Sequence, residues 1–160
     1  MSTDGVIVKE RMDPFEHRFN PATGQNSLHA TKAFKAGDTV YEFHALKTHQ
    51  EPNMYTLQAS AGEHIDLGPG ILSYTNHSCK PTTFFNTTTR TIEALVDIQP
   101  GDQITFFYPS TEFSMESPFD CLCGELCCIG RMQGAKGTPQ HVLEKYRLND
   151  HIKELLSKAD

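Results

Sequence analysis

Apolar positions in the first 110 residues fall in short runs separated by turn formers, and none of these runs keeps a helical period. The runs are Val6-Ile7-Val8, 27–30, 39–43, 55–57, 64–67, 82–85, 90–95 and 104–107. Between them stand Asn20-Pro21, Ala36-Gly37-Asp38, Gly68-Pro69-Gly70, Asn86-Thr87 and Pro100-Gly101-Asp102, which are breakers of the kind that end strands. With no long helical stretch between the runs, the pattern predicts small antiparallel sheets rather than a βαβ series.

The helical signal sits at the end of the chain. Thr138 before Pro139 reads as an N-cap and first-turn pair, with Val142, Leu143 and Tyr146 on one face. Beyond Asn149, the residues Ile152, Leu155 and Leu156 recur at helical spacing, the mark of a short amphipathic helix lying on the domain.

A length of 160 residues allows one domain with a real core. Fourteen basic against twenty acidic residues give a net charge of −6, and no two basic residues are adjacent. Direct nucleic-acid binding is therefore not expected. No basic stretch followed by an apolar one opens the chain, and no apolar run approaches the ~20 residues that span a bilayer. The expectation is an intracellular protein, cytoplasmic or nuclear, without a membrane partner.

Four of the five cysteines, Cys121, Cys123, Cys127 and Cys128, fall within eight residues. Clustered thiols in a chain without export features point to metal before disulfides. Cys121, Cys123 and Cys128 have C-x-C-x4-C spacing. Adjacent Cys127 and Cys128 should point in different directions, so both are not expected to bind. Tetrahedral zinc needs a fourth ligand, and Cys79 is the other cysteine available. Were it the ligand, the tail would fold back on the loop at 76–79. Buried free thiols are the bland alternative. That loop, Asn76-His77-Ser78-Cys79-Lys80-Pro81, gathers an amide, an imidazole, a hydroxyl and a thiol. Taken alone, Asn76 and His77 could simply satisfy backbone groups in a turn, and Tyr108, among phenylalanines, could be core.

Taken together, three motifs in order change the picture. Asn76-His77-Ser78-Cys79-x-Pro81, Gly101-Asp102-x-Ile104-Thr105-Phe106-x-Tyr108 and Cys121-x-Cys123-Gly124-x-x-x-Cys128-x-Gly130 resemble the SET domain with its post-SET zinc segment. The stretch 28–43 is similar to the family's first conserved strands. The resemblance implies a mostly β fold of small antiparallel sheets with a pseudoknot, in which segments 71–79 and 102–108 cross. It implies a SET domain over 1–118, a post-SET zinc segment over 119–137 and a helical extension over 138–160.

It further implies an S-adenosylmethionine-dependent protein-lysine N-methyltransferase. Tyr108 would stand where cofactor and amine meet, with Tyr41 as a second tyrosine. Cofactor contacts would come from Ser27, Leu28, His29, Tyr74, Asn76, His77 and Leu122. One structural zinc would be held by Cys79, Cys121, Cys123 and Cys128, leaving Cys127 over. The chemistry suits these residue types, because methyl transfer from a sulfonium to a neutral amine depends mostly on positioning.

The sequence departs from the family at four points. Ser27 stands where a glycine is usual, Thr82 replaces an asparagine, and Phe107 replaces an aspartate. Only 32 residues separate Phe43 from Asn76, a short version of the stretch that often builds a peptide groove. A small substrate surface, or a homodimer that completes it, would follow. These departures motivate two further readings: a SET-fold enzyme acting on a small molecule in a biosynthetic pathway, and a zinc-stapled interaction module without turnover.

Overall fold

The computed structural model describes residues 5–159, in which thirteen short strands form four small sheets. Met1–Asp4, read above for a leader, and Asp160 lie outside the described residues. A meander of β1 (Ile7–Met12), β2 (Phe15–Asn20) and β3 (Gln25–Ala30) opens the chain. Its second turn closes through the Gly24 N–H, which donates to the Asn20 carbonyl at 2.7 Å, with Gly24 at φ +73°. Glycine adopts that left-handed geometry without the steric cost a side chain carries.

Three strands make a second sheet, β4 (Thr39–Glu42), and later β9 (Thr83–Asn86) and β10 (Thr91–Ala94), in the order β4-β10-β9. The β9–β10 turn is set by Asn86, whose Oδ1 accepts from the Thr88 and Thr89 N–H groups at 3.0 and 3.1 Å. A third sheet holds β5 (His44–His49), β6 (Leu57–Ser60) and β7 (Glu63–Gly68) in the order β5-β7-β6. Most of the short 44–75 stretch thus builds this sheet and a 3-10 turn over Gly70–Tyr74, with residues 50–56 left as the loop between β5 and β6.

The site is positioned by β8 (Asn76–His77) and β11 (Gln103–Phe106). β11 pairs antiparallel with β3 on one side and parallel with β8 on the other, through Thr105↔Asn76 and Phe106↔His77. Segments 71–79 and 102–108, distant in sequence, therefore meet side by side. β12 (Phe119–Asp120) and β13 (Arg131–Met132) close a two-residue ladder around the cysteine region.

Phe15, Leu28, Phe85, Ile92, Ile98 and Ile104 are fully buried in the main core. A second, smaller core sets Phe107, which follows β11 directly, against Ala135 of the tail, Leu143 of helix α1 (Gln140–Leu143) and Ile152 of helix α2 (Asp150–Lys158). Phe107 lies flat on Tyr146, with ring centroids 3.6 Å apart. A phenylalanine here secures the helical extension where an aspartate would have nothing apolar to meet. Thr138 does not cap α1: Pro139 holds the preceding position, and the Thr138 hydroxyl donates to the Gly134 carbonyl instead.

Asn149, at the start of α2, ties the two cores together. Its amide Nδ2 donates to the Phe85 and Ser110 carbonyls at 2.8 and 2.9 Å, and its Oδ1 accepts from the Thr87 N–H at 2.9 Å. Asn149→Ala would leave these buried groups without partners and is expected to cost about 3 kcal/mol. Chemical denaturation checks this, and an unchanged midpoint would refute it.

Candidate active site and metal centre

β11 ends at Phe106, and the chain turns at once into a 3-10 turn over Tyr108–Ser110. Because β11 runs beside β8, that turn delivers Tyr108 to the Asn76-His77 loop. The Tyr108 N–H donates to His77 Nδ1 at 3.1 Å, and the Tyr108 hydroxyl donates to the Thr75 carbonyl at 2.8 Å. A backbone N–H can only donate, so His77 Nδ1 is bare and Nε2 carries the proton, 3.3 Å from Cys79 Sγ. Burial holds His77 neutral, with its pKa brought down to about 4. One imidazole thus joins the loop, the tyrosine and the first cysteine.

Burial and then the nearby Glu112 charge push the Tyr108 hydroxyl above its ordinary range, so it is neutral at physiological pH. Having donated to Thr75, its oxygen keeps lone pairs to accept a further hydrogen bond. The ring is held edge-on by His77 and Phe119 and tilted against Phe106.

Tyr108 faces a cleft of about 1150 Å³, which Tyr74, Asn76, His77 and Leu122 also line. The cleft holds five carboxylates, Asp102, Glu112, Glu116, Asp120 and Glu125, against the single ammonium of Lys80. Its lining therefore favours cationic ligands. Asn76 Nδ2 donates to the Asn26 carbonyl at 2.7 Å, and Asn76 Oδ1 has no partner among the described residues. Tyr74 stacks on His17 at 3.7 Å, and His17 Nε2 meets Asn26 Oδ1 at 2.8 Å.

Four residues expected at the site from the sequence do not line the cleft: Ser27, Leu28, His29 and Tyr41. The β3 register explains the first three. Leu28 points into the core at 0% exposure, while the Ser27 hydroxyl and the His29 ring bond each other at 2.9 Å on the other face. The strand reaches the cleft earlier, with Gln25 and Asn26. Ser27 lies in ordinary paired strand opposite Arg18, where no glycine is required. Tyr41 packs edge-on to Phe15 in the core. Thr82 supplies its own anchoring: its hydroxyl donates to the Gln103 carbonyl and accepts from the Thr105 N–H, each at 3.0 Å.

Beside the cleft, the sulfur atoms of Cys79, Cys121, Cys123 and Cys128 all lie within 4.8 Å of one another. Zinc–sulfur bonds of about 2.3 Å in a tetrahedron put sulfurs about 3.8 Å apart, and Cys79 and Cys121 stand 3.9 Å apart. The Ile129 N–H donates to Cys79 Sγ at 3.4 Å, a contact that favours thiolate. Without a cation, burial keeps the Cys79 thiol above its ordinary range and the Cys121 thiol up at about 11. The donor set fits a structural zinc with no open position. Cys127 turns away and donates to the Cys79 carbonyl at 3.3 Å.

Comparison with known proteins gives the site a setting. The SET domain family model matches residues 25–109, just over half of the chain. "Methyltransferase flvH" of Aspergillus flavus is 40% identical over 102 residues, which is 58% of this chain and 57% of that protein. "Histone-lysine N-methyltransferase Suv4-20" of Caenorhabditis elegans is 45% identical over 71 residues, 43% of this chain and 23% of that one. The chain thus spans little more than half, or less, of these relatives. The crystal structure of KRYPTONITE in complex with mCHH DNA, H3(1-15) peptide and SAH superposes with a TM-score of 0.59 at 22% identity, covering 77% of this chain and 30% of that one. The fold is shared.

Proposed function

Because the chain belongs to the SET-domain family, we propose that it is an S-adenosylmethionine-dependent N-methyltransferase whose acceptor is the amine of a protein lysine. The observation that carries this reading is the parallel pairing of Asn76-His77 with Thr105-Phe106, which brings Tyr108 to the 76–77 loop inside an acidic cleft.

The cofactor supplies a methyl group made electrophilic by its sulfonium sulfur. Everything else falls to this chain. Asn76 Oδ1, without a protein partner, accepts from the cofactor's amino-acid ammonium. Leu122, 81% exposed on the cysteine segment, covers the adenine side, and Tyr74 lines the same cleft. The carboxylate lining favours both the sulfonium and a lysine ammonium. Leu57, Leu67, Leu72 and Phe106 are buried residues that also line the cleft. They form apolar walls that strip water from a lysine stem and lower the pKa of its amine. The Tyr108 oxygen accepts an N–H from that amine and so aims the nitrogen lone pair, the positioning on which an in-line displacement depends. The zinc tail, held through Cys79, Cys121, Cys123 and Cys128, keeps Leu122 in place.

A second reading, a free alkylamine as acceptor, is favoured by one observation: most of the segment 44–75 is spent on a small sheet and a 3-10 turn, which leaves a short loop, 50–56, to border the cleft. Zinc-loaded protein should bind S-adenosylhomocysteine in a calorimeter and, given S-adenosylmethionine, add a methyl mass to members of a lysine-peptide array. Absence of cofactor binding overturns both readings and leaves the interaction module. Cofactor binding with methylation of free alkylamines alone selects the second. No helix among the described residues is long and apolar enough to cross a membrane, and on this reading the enzyme works inside the cell, in cytoplasm or nucleus.

A further inference from the structure

Glu112 is one of the cleft carboxylates, and beyond that shared charge the reading above gives it no task of its own. Its Oε2 is anchored by the Gln58 N–H at 2.9 Å and the Thr111 hydroxyl at 2.7 Å. Its Oε1 has no hydrogen-bond partner among the described residues. Nor is it sealed in the interior, as the unpartnered His64 Nδ1, Arg90 Nη1 and Ser110 Oγ are. It opens on the cleft, which Glu112 lines together with buried Leu57, Leu67 and Leu72. The main chain pins it near the tyrosine, since the Glu112 N–H donates to the Tyr108 carbonyl at 2.9 Å, and its charge is felt at the Tyr108 hydroxyl.

A carboxylate with one oxygen fixed and the other open among apolar walls lacks a cation. We propose that Glu112 Oε1 is the residue that binds the substrate ammonium and takes its proton. This rests on the reading of the cleft as a methyl-transfer site. An ammonium R–NH3+ gives one proton to the Glu112 carboxylate, leaving R–NH2 and a neutral carboxylic acid. The freed lone pair then forms the N–CH3 bond as the S–CH3 bond breaks, with that bond's electron pair staying on sulfur. The product is a methylated ammonium beside a thioether, and the proton on Glu112 passes to solvent through the cleft.

Burial, opposed in part by the Thr111 and Gln58 hydrogen bonds, raises the Glu112 pKa to about 7, a value suited to exchanging a proton near neutrality. The other ionisable groups around it lie elsewhere. Tyr108 is held above its ordinary range. His64, opposite Gln58 on β7, and His151 of α2, bonded to the Thr111 carbonyl, are held below theirs by burial. Glu116 stands exposed at the rim.

The test titrates n-butylamine, with pentan-1-ol as its neutral counterpart, into zinc-loaded protein saturated with S-adenosylhomocysteine, followed by NMR shifts. Wild type should prefer the amine, with affinity rising as pH goes up through about 7 and the carboxylate ionises. Glu112→Gln keeps the shape and should lose at least tenfold in amine affinity together with the pH dependence, with pentan-1-ol binding unchanged. Equal amine affinity in wild type and variant overturns the inference, as does wild-type binding that is flat from pH 6 to 8 (roughly one unit either side of the group's midpoint). The second result needs no folded variant. Failure to bind S-adenosylhomocysteine at all refutes instead the reading on which the inference rests.

Discussion

Tyr108→Phe is expected to lower the single-turnover rate of methyl transfer by about two orders of magnitude, with S-adenosylhomocysteine affinity held within about twofold. The split follows from what the hydroxyl does and what the ring does. The ring is packed by His77, Phe106 and Phe119, contacts a phenylalanine keeps, so the cofactor loop and the main-chain bond from Tyr108 to His77 Nδ1 survive. What is lost is one oriented oxygen at the point where the amine must be aimed. Removing a preorganised hydrogen-bonding group from a reacting centre costs about 10²–10³ in rate. The Thr75 carbonyl also loses its donor, so stability should fall by about 1–2 kcal/mol. Quenched mass spectrometry on a methylated peptide measures the rate, and retention of the full rate would remove Tyr108 from the chemistry.

Why the sequence reveals Tyr108 but not Glu112 has a physical reason. The tyrosine belongs to a string whose residue types and spacing are unusual together. Glu112 looks like any loop acid until Gln58, 54 positions earlier, is seen to supply its anchoring N–H. The strands divide in the same way. β7, β9, β10 and β11 bury at least half of their side chains, and β3 buries Leu28 and Ala30 in alternation, so apolar residues mark them. β5, by contrast, has five exposed residues of six at a sheet edge, and β2 carries four polar residues among its six. Nothing in the apolar pattern marks either. Missing β2 hides the His17 ring that supports Tyr74 and Asn26. Ser27, Leu28 and His29 lie off the cleft because β3 leaves it after Asn26, a register question that a strand's two-residue period decides and a motif does not.

The adjacent thiols Cys127 and Cys128 make the metal centre open to a sharp test. Cys128→Ser should lose stoichiometric zinc, whereas Cys127→Ser should keep it, because Cys128 Sγ lies in the four-sulfur cluster and Cys127 Sγ points to the Cys79 carbonyl. Chelation of wild type should have the larger effect. Between Phe119 and Gly130 there is little apolar burial to hold the chain: Leu122 and Leu126 are exposed, and one pair of strands two residues long brackets the segment. Structural zinc contributes folding energy on the order of 10 kcal/mol in small thiolate sites, far more than such a ladder can supply. Removing it should free this segment while the sheets, whose core is built from Phe15, Leu28, Ile92 and Ile104, stay folded. Cofactor affinity should then fall at least tenfold as Leu122 leaves the cleft, with all five cysteines open to a thiol reagent and far-ultraviolet dichroism nearly unchanged. If chelation left cofactor affinity intact, the tail would be a staple that takes no part in the site.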